Sequence, residues 1–211
     1  MKRKGCDRMS KHCTILCAGE IGKIAVPDGS FVICADGGLA HAKKAGVEPD
    51  LIVGDFDSFG QIPDGENVRV HPVAKDETDS FLAVDYALER GCTDFLIYGG
   101  LGGRFDHTLA NVQLLRRLCL CGCRGTLVGA DGTRVTAIYN ETRTFSPALT
   151  GSVGVFSLTP ESRGVTIKNL QFEAENVTLN DHTSLGASNA FCGKPAKIGV
   201  ADGILLITWK E

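Results

Sequence analysis

The sequence predicts an α/β fold followed by an all-β one: an N-terminal parallel-sheet α/β domain, residues 1–132, and a small C-terminal β-sandwich, residues 133–211. Three observations carry this. Short apolar runs alternate with helical patterns through the first two-thirds of the chain, the signature of βαβ units with right-handed crossovers. Those runs are apolar on both faces, as strands are in a parallel sheet covered by helices. The helical patterns stop near Asp131-Gly132, and only short strand-like runs with Gly-rich turns follow.

Taken in order, the expected α/β strands are Cys13–Cys17, Phe31–Ala35, Leu51–Val53, Val68–His71, Phe95–Tyr98 and Thr126–Val128. A helix over Gly38–Ala45 ends at Gly46, which suits the left-handed C-terminal position. Thr78 can N-cap a helix that runs to about Arg90, with Gly91 closing it. Phe81, Val84 and Leu88 recur on it at helical spacing and should face the sheet. A further helix spans about Asp106 to Leu118, with Leu109, Val112 and Leu115 on one face. The β part reads as strands Thr142–Phe145, Val153–Leu158, Val165–Ile167, Asn176–Leu179, Lys197–Val200 and Ile204–Trp209. Asp202-Gly203 is a two-residue hairpin signal between the last two. Residues between Val53 and Val68 show no helical pattern, and a loop of that length in a compact domain is usually functional or disordered.

Bulk properties exclude several classes. The net charge of −3 creates no field favouring nucleic acid or an anionic membrane. No apolar run approaches the ~20 residues that span a bilayer. The basic start Met1-Lys2-Arg3-Lys4-Gly5 is followed by no adequate apolar segment, so a secretory leader is not expected. Nine cysteines, an odd number with no CxxC pair, read as reduced thiols and point to the cytoplasm.

The chemistry is concentrated at strand ends. Asp55 and Asp57 follow the strand Leu51–Val53 in Gly54-Asp55-Phe56-Asp57-Ser58, and Asp76, Glu77 and Asp79 lie in a second acidic stretch beginning at Lys75. Carboxylates in contact repel by roughly 4 kcal/mol per pair at an effective dielectric of about 20, so a fold that gathers them needs a cation. Hard oxygen donors suit Mg²⁺, which takes a few carboxylates together with waters and substrate phosphates. In an extended segment residues two apart point the same way, which would turn Asp55 and Asp57 toward one ion. An Asx turn with Ser58 is the competing reading of that pair. Asp79 alone would also serve as a favourable charge at a helix start.

The run Gly99-Gly100-Leu101-Gly102-Gly103-Arg104-Phe105-Asp106-His107 follows another strand and opens a helix. Its glycines let backbone N–H groups approach an anion, and Arg104 offers a planar fork for phosphate oxygens. Asp106 is read either as a member of the metal shell or as the helix N-cap, and His107 as secondary. Cys34-Ala35-Asp36-Gly37-Gly38 repeats the strand–acid–glycine–helix arrangement. Lys75 is placed to reach a phosphate or to pair with Asp76 or Glu77. There is no GxxxxGK[ST] loop and no GxGxxG after the first strand, so phosphates must be held in another way.

Together these motifs resemble thiamine pyrophosphokinases, and the resemblance covers nearly the whole chain. Its most specific parts are Pro49 to Ser58, Asp76-Glu77-Thr78-Asp79, Gly103-Arg104-Phe105-Asp106-His107 and Ser184-Leu185-Gly186-Ala187-Ser188-Asn189. The resemblance implies a homodimer with its active site between subunits, acting on thiamine and ATP. It implies transfer of the β,γ-pyrophosphoryl group of ATP to the thiamine hydroxyl, with AMP released. Asp55, Asp57 and Asp79 match the family's Mg²⁺-binding acids, and Arg104 and Asp106 its nucleotide-side motif. Asp36, Gly37, Lys75, Gly102 and Gly103 join Arg104 on the nucleotide side. Ser188 and Asn189 match the segment that holds the thiamine pyrimidine, and Phe172 the aromatic near the substrate. Ala190 stands where bacterial members often carry Glu, and Phe81 where many have a polar residue.

Two other classes fit part of the sequence. Asp55-Phe56-Asp57-Ser58 after a strand also suits an aspartate-nucleophile phosphohydrolase. A non-catalytic sensor of thiamine or nucleotide would use the same fold without turnover.

Overall fold

The computed structural model describes residues 11–56, 65–72 and 76–210. Its elements are β1 (His12–Leu16), β2 (Phe31–Ala35), α1 (Gly38–Ala45), β3 (Leu51–Gly54), β4 (Val68–Val70), α2 (Asp79–Glu89), β5 (Asp94–Tyr98), α3 (Phe105–Leu120), β6 (Arg124–Val128), β7 (Thr133–Tyr139), β8 (Thr142–Phe145), β9 (Ser152–Ser157), β10 (Glu161–Lys168), β11 (Ala174–Asn180), β12 (Asn189–Ala190), β13 (Ala196–Gly199) and β14 (Ile204–Lys210).

Ten strands form one mixed sheet in the order β12-β9-β14-β7-β6-β5-β1-β2-β3-β4. From β4 to β6 every pair is parallel. At β6–β7 the direction reverses, with Thr126 opposite Thr136, and the antiparallel half continues through β14 and β9 to β12. The sheet therefore runs unbroken across residue 132. β1 is central: the chain leaves it for β2, β3 and β4, then returns to its other side at β5. The gap between β1 and β5 is the switch point at which parallel sheets of this kind bind ligands, beyond the carboxyl ends of their strands.

The parallel strands are buried on both faces because helices cover them. Ile15, Ile33, Val53 and Ile97 pack with Val84, Leu114, Leu115 and Leu118 in one core, and Leu16, Cys34 and Tyr98 with Leu39 and Ala42 in another. A second, antiparallel sheet has the order β11-β10-β13-β8. Its Phe145, Val165, Ile167 and Ile198 share a core with Val153, Val155, Leu205, Ile207 and Trp209 of the larger sheet.

Four expectations from sequence need correction. β7 carries no clear strand signal because Thr136 interrupts its apolar run; the residue is fully buried, and its hydroxyl donates to the Gly125 carbonyl at 2.6 Å. Asp202-Gly203 is not a hairpin: β13 pairs with β10 and β8, whereas β14 pairs with β7 and β9, so this turn carries the chain between sheets. The buried side of α3 is Asn111, Leu114, Leu115, Leu118 and Cys119, while Leu109 is half exposed; the helix is rotated because a hydrogen-bonded asparagine takes an inward place. On α2 the small residues Ser80, Ala83 and Ala87 join Val84 in facing inward, and Phe81 and Leu88 pack at the margins.

Candidate active site

A cleft of about 590 Å³ opens beyond the carboxyl ends of β1, β2, β3 and β5. Asp36, Asp55, Asp76, Glu77 and Asp79 line it from one side, and Gly102, Gly103, Arg104 and His107 from the other. Five carboxylates that are scattered in sequence thus share one concavity. Among the described residues, no three His, Cys, Asp or Glu lie close enough to hold a metal by themselves.

The backbone at the acidic side is unusual. Asp36 and Phe56 both adopt left-handed conformations, with φ of 44° and 58°. For residues other than glycine such conformations cost about 1–3 kcal/mol and concentrate at functional sites. Each has local support. The Asp36 amide donates to the Val53 carbonyl at 2.8 Å, and Phe56 is buried under α1 and β3. Gly54 lies against Asp36 so closely that a Cβ there would sit 3.1 Å from the Asp36 Cα. Phe56, which follows Asp55, is left-handed rather than extended, so simple alternation does not hold at that residue. Asp57 and Lys75 lie outside the described residues.

Asp79 is the first residue of α2, where a negative charge meets the helix dipole. Thr78 occupies the N-cap position, but its hydroxyl makes no capping bond; it lies 2.9 Å from the Ser80 hydroxyl instead. Burial first, then the Asp79 and Cys34 charges, push the Cys17 thiol up to about 12. Asp79 and Cys17, which follows β1, line the same cleft.

The glycine loop supplies the opposite wall. Gly99, Gly102 and Gly103 have φ of 69°, 82° and 64°, left-handed conformations that glycine adopts without a Cβ penalty. The N–H of Gly19 donates to the Gly99 carbonyl at 3.2 Å, which ties the loop to the end of β1. Arg104 precedes α3, and its guanidinium meets the Asp106 carboxylate at 2.5 and 3.2 Å. That hydrogen bond, with one from the His107 amide, holds the Asp106 carboxyl below its usual range. Asp106 is neither N-cap nor cleft wall: it stands in the first turn of α3, largely exposed, and orients Arg104. Gly37 likewise does not line the cleft; a Cβ there would meet that of Ala18 at 2.8 Å, so its smallness serves packing.

Sequence reasoning missed Cys17, Ala18, Gly19, Ser80 and Asn111, all in the cleft wall. Gly19 repeats the strand-end glycine pattern, and Asn111 follows His107 by four residues on the same helix face.

Ser188, Asn189 and Phe172 are elsewhere. Ser188, with φ of 61°, borders a separate hollow of about 290 Å³ with Val153, Phe156 and Trp209. Asn189 is buried, and its amide is engaged by the Phe172 backbone and the Ala190 N–H. The Phe172 side chain is 61% exposed. Within one chain none of these three lines the acidic cleft.

Residues 25–123 match the family described as thiamin pyrophosphokinase, catalytic domain. A thiamine pyrophosphokinase of Bacillus subtilis is 40% identical over 92 residues, 39% of this chain and 42% of the relative, so the match spans less than half of that protein. Thiamin pyrophosphokinase 1 of Caenorhabditis elegans is 28% identical over 75% of this chain and 70% of its own length. Among solved structures, thiamine pyrophosphokinase from Bacillus subtilis superposes with a TM-score of 0.83 at 23% identity, covering 95% of this chain and 99% of that one. The Candida albicans enzyme superposes at 0.75 with 16% identity, over 96% and 90% of the two chains. At these identities the superpositions speak for the fold, and the sequence match adds the catalytic segment. The segment matched runs through both walls of the cleft, from the strand before Asp36 to the helix after Arg104, and over that segment the chain is similar to the catalytic domain of thiamin pyrophosphokinases.

Proposed function

We propose that the protein transfers the β,γ-pyrophosphoryl group of ATP to the hydroxyl of thiamine, giving thiamine diphosphate and AMP. The observation that carries this reading is the convergence of Asp36, Asp55 and Asp79 with the Gly99–Gly103 loop and Arg104 around one cleft. The donors on the acidic side are all hard oxygens, which fits Mg²⁺; because that ion keeps waters and substrate phosphates, one or two carboxylates suffice. Asp55 and Asp79 are the described residues that would hold it, with Asp57 as the third acid read from sequence. The ion would offset charge on the phosphate oxygens as the transfer proceeds.

The remaining work falls to the chain itself. Loop amides and Arg104 hold the phosphates in line, and Asp106 keeps the guanidinium aimed. Charge spreads over the phosphoryl oxygens in the transition state, so fixed donors there stabilise it more than the ground state. The thiamine hydroxyl needs positioning more than activation, because a loose transition state asks little of its nucleophile. Asp79, which lines the cleft, accepts its proton late in the step.

The same reading divides the chain into a nucleotide-binding α/β part, residues 1–132, and a thiamine-binding β part, residues 133–211. The core shared by the four-stranded sheet and the antiparallel half of the larger one supports a sandwich for the second part. Ser188, Asn189 and Phe172 lie away from the acidic cleft of their own chain, which supports a homodimer in which one subunit's β part completes the other's cleft. The eight described cysteines are all free, in keeping with a reducing compartment such as the cytoplasm.

Incubation with ATP, Mg²⁺ and thiamine, followed by chromatography of the products, tests the proposal. AMP and thiamine diphosphate in equal amounts are expected. Inorganic phosphate alone would show a phosphohydrolase, and unchanged ATP a sensor.

A further inference from the structure

Helices α2 and α3 are joined by a buried polar chain that the transfer step above leaves unused. Asn111, 5% exposed, donates from Nδ2 to the Gly100 carbonyl at 2.9 Å. Its Oδ1 accepts from the Ser80 hydroxyl at 2.8 Å, and Ser80 Oγ lies 2.9 Å from Thr78 Oγ1. Gly100 belongs to the glycine loop, and Ser80 follows Asp79 in the first turn of α2. Arg117 clasps the same helices nearer solvent, pairing with Asp85 and, at 3.5 Å, with Glu77.

An amide has a donor side and an acceptor side, and Asn111 uses one of each, so a single orientation satisfies both neighbours. The rest of this helix face is Leu114, Leu115 and Leu118. A leucine at 111 would avoid the cost of burying polar atoms, but it would make neither bond. A hydrogen-bonded amide between two functional segments instead sets their relative position. The contact is close: a Cβ on Gly100 would lie 3.2 Å from Asn111 Nδ2.

We propose that Asn111 is a positioning residue for pyrophosphoryl transfer: its amide locks the glycine loop to the Asp79 end of α2, so that both walls of the cleft keep one register. The inference rests on the function proposed for that cleft. Asn111 acts through Gly100 and Ser80.

Two readouts test it on the full chain. The first is backbone hydrogen exchange of residues 78–81 and 99–103, which needs no activity. Asn111→Ala and Ser80→Ala should each speed exchange in both segments, by about tenfold where one hydrogen bond of ~1.4 kcal/mol is lost. Faster exchange confined to 78–81 in Ser80→Ala, or to one of the two segments in Asn111→Ala, would overturn the coupling. The second readout is kinetic. Asn111→Ala should lower kcat about 10- to 100-fold with little change in the thiamine KM, as a misplacement of roughly 1 Å does. A folded Asn111→Ala protein with normal kcat would overturn the proposal. Should that variant not fold, Asn111→Asp decides. Ionised, its carboxylate opposes the Gly100 carbonyl; protonated, it donates again, so its turnover relative to the parent protein should rise as pH falls. A flat ratio would overturn the role. If the parent protein makes no AMP, the proposed function fails, while the exchange experiment still answers whether the two walls are coupled.

Discussion

Asn189 grips the backbone of Phe172 from both sides: its Nδ2 donates to the Phe172 carbonyl at 2.7 Å, and its Oδ1 accepts from the Phe172 N–H at 3.0 Å. The side chain that sequence assigns to the substrate is thus occupied in presenting an exposed aromatic. Asn189→Ala should destabilise the fold by about 1–3 kcal/mol, since buried partners lose their bonds. Urea unfolding checks this. Thiamine KM should rise because Phe172 loses its support, with ATP KM nearly unchanged; equal effects on both substrates would refute that division of labour.

Asp79 and Asp55 should be separable from stability. Neither is part of an apolar core, and both line the cleft. Asp79→Asn and Asp55→Asn should each cut turnover by about 10²–10³-fold, the scale of losing one charge-stabilising group. Thermal midpoints should stay close to that of the parent protein. Steady-state kinetics beside calorimetry gives both numbers, and near-normal turnover in either variant would remove that residue from the reaction.

Gly38 sits where α1 crosses the end of β1. A Cβ there would lie 1.8 Å from the Leu16 carbonyl oxygen, a backbone atom that cannot rotate away. Gly38→Ala should therefore cost about 1–3 kcal/mol or more by overpacking, even though alanine favours helices. A stability gain on substitution would contradict the close approach.

Burial pushes the thiols of Cys17 and Cys34 up to about 12, so both stay protonated and unreactive at neutral pH. Cys121 and Cys192 are exposed. Brief iodoacetamide treatment at pH 8, read by peptide mass spectrometry, should label Cys121 and Cys192 and spare Cys17 and Cys34. Raising the pH toward 12 should bring in the buried pair. The thiolate, which attacks, becomes available only near the raised value. Rapid labelling of Cys17 at pH 8 would mean that the cleft floor opens.

Much of this protein is legible from local pattern alone. Alternating apolar runs and helix-ending glycines give the parallel strands and the helices α1 and α2, because burial on both faces and left-handed caps leave direct marks on residue choice. The strand-end acids Asp36, Asp55 and Asp79 are readable for the same reason. What pattern misses depends on partners distant in sequence. β7 is hidden by Thr136, whose hydroxyl is satisfied only by Gly125 on the neighbouring strand. The turn at Asp202-Gly203 has hairpin chemistry, yet each flanking strand pairs better elsewhere. The inward face of α3 turns on Asn111, a polar residue made tolerable by Ser80 and Gly100. Local sequence thus set the elements and the chemistry at their ends. Only the packed fold decided which sheet each strand joined and which polar side chains were buried, since a hydrogen bond across the molecule exists only once both partners have been brought together.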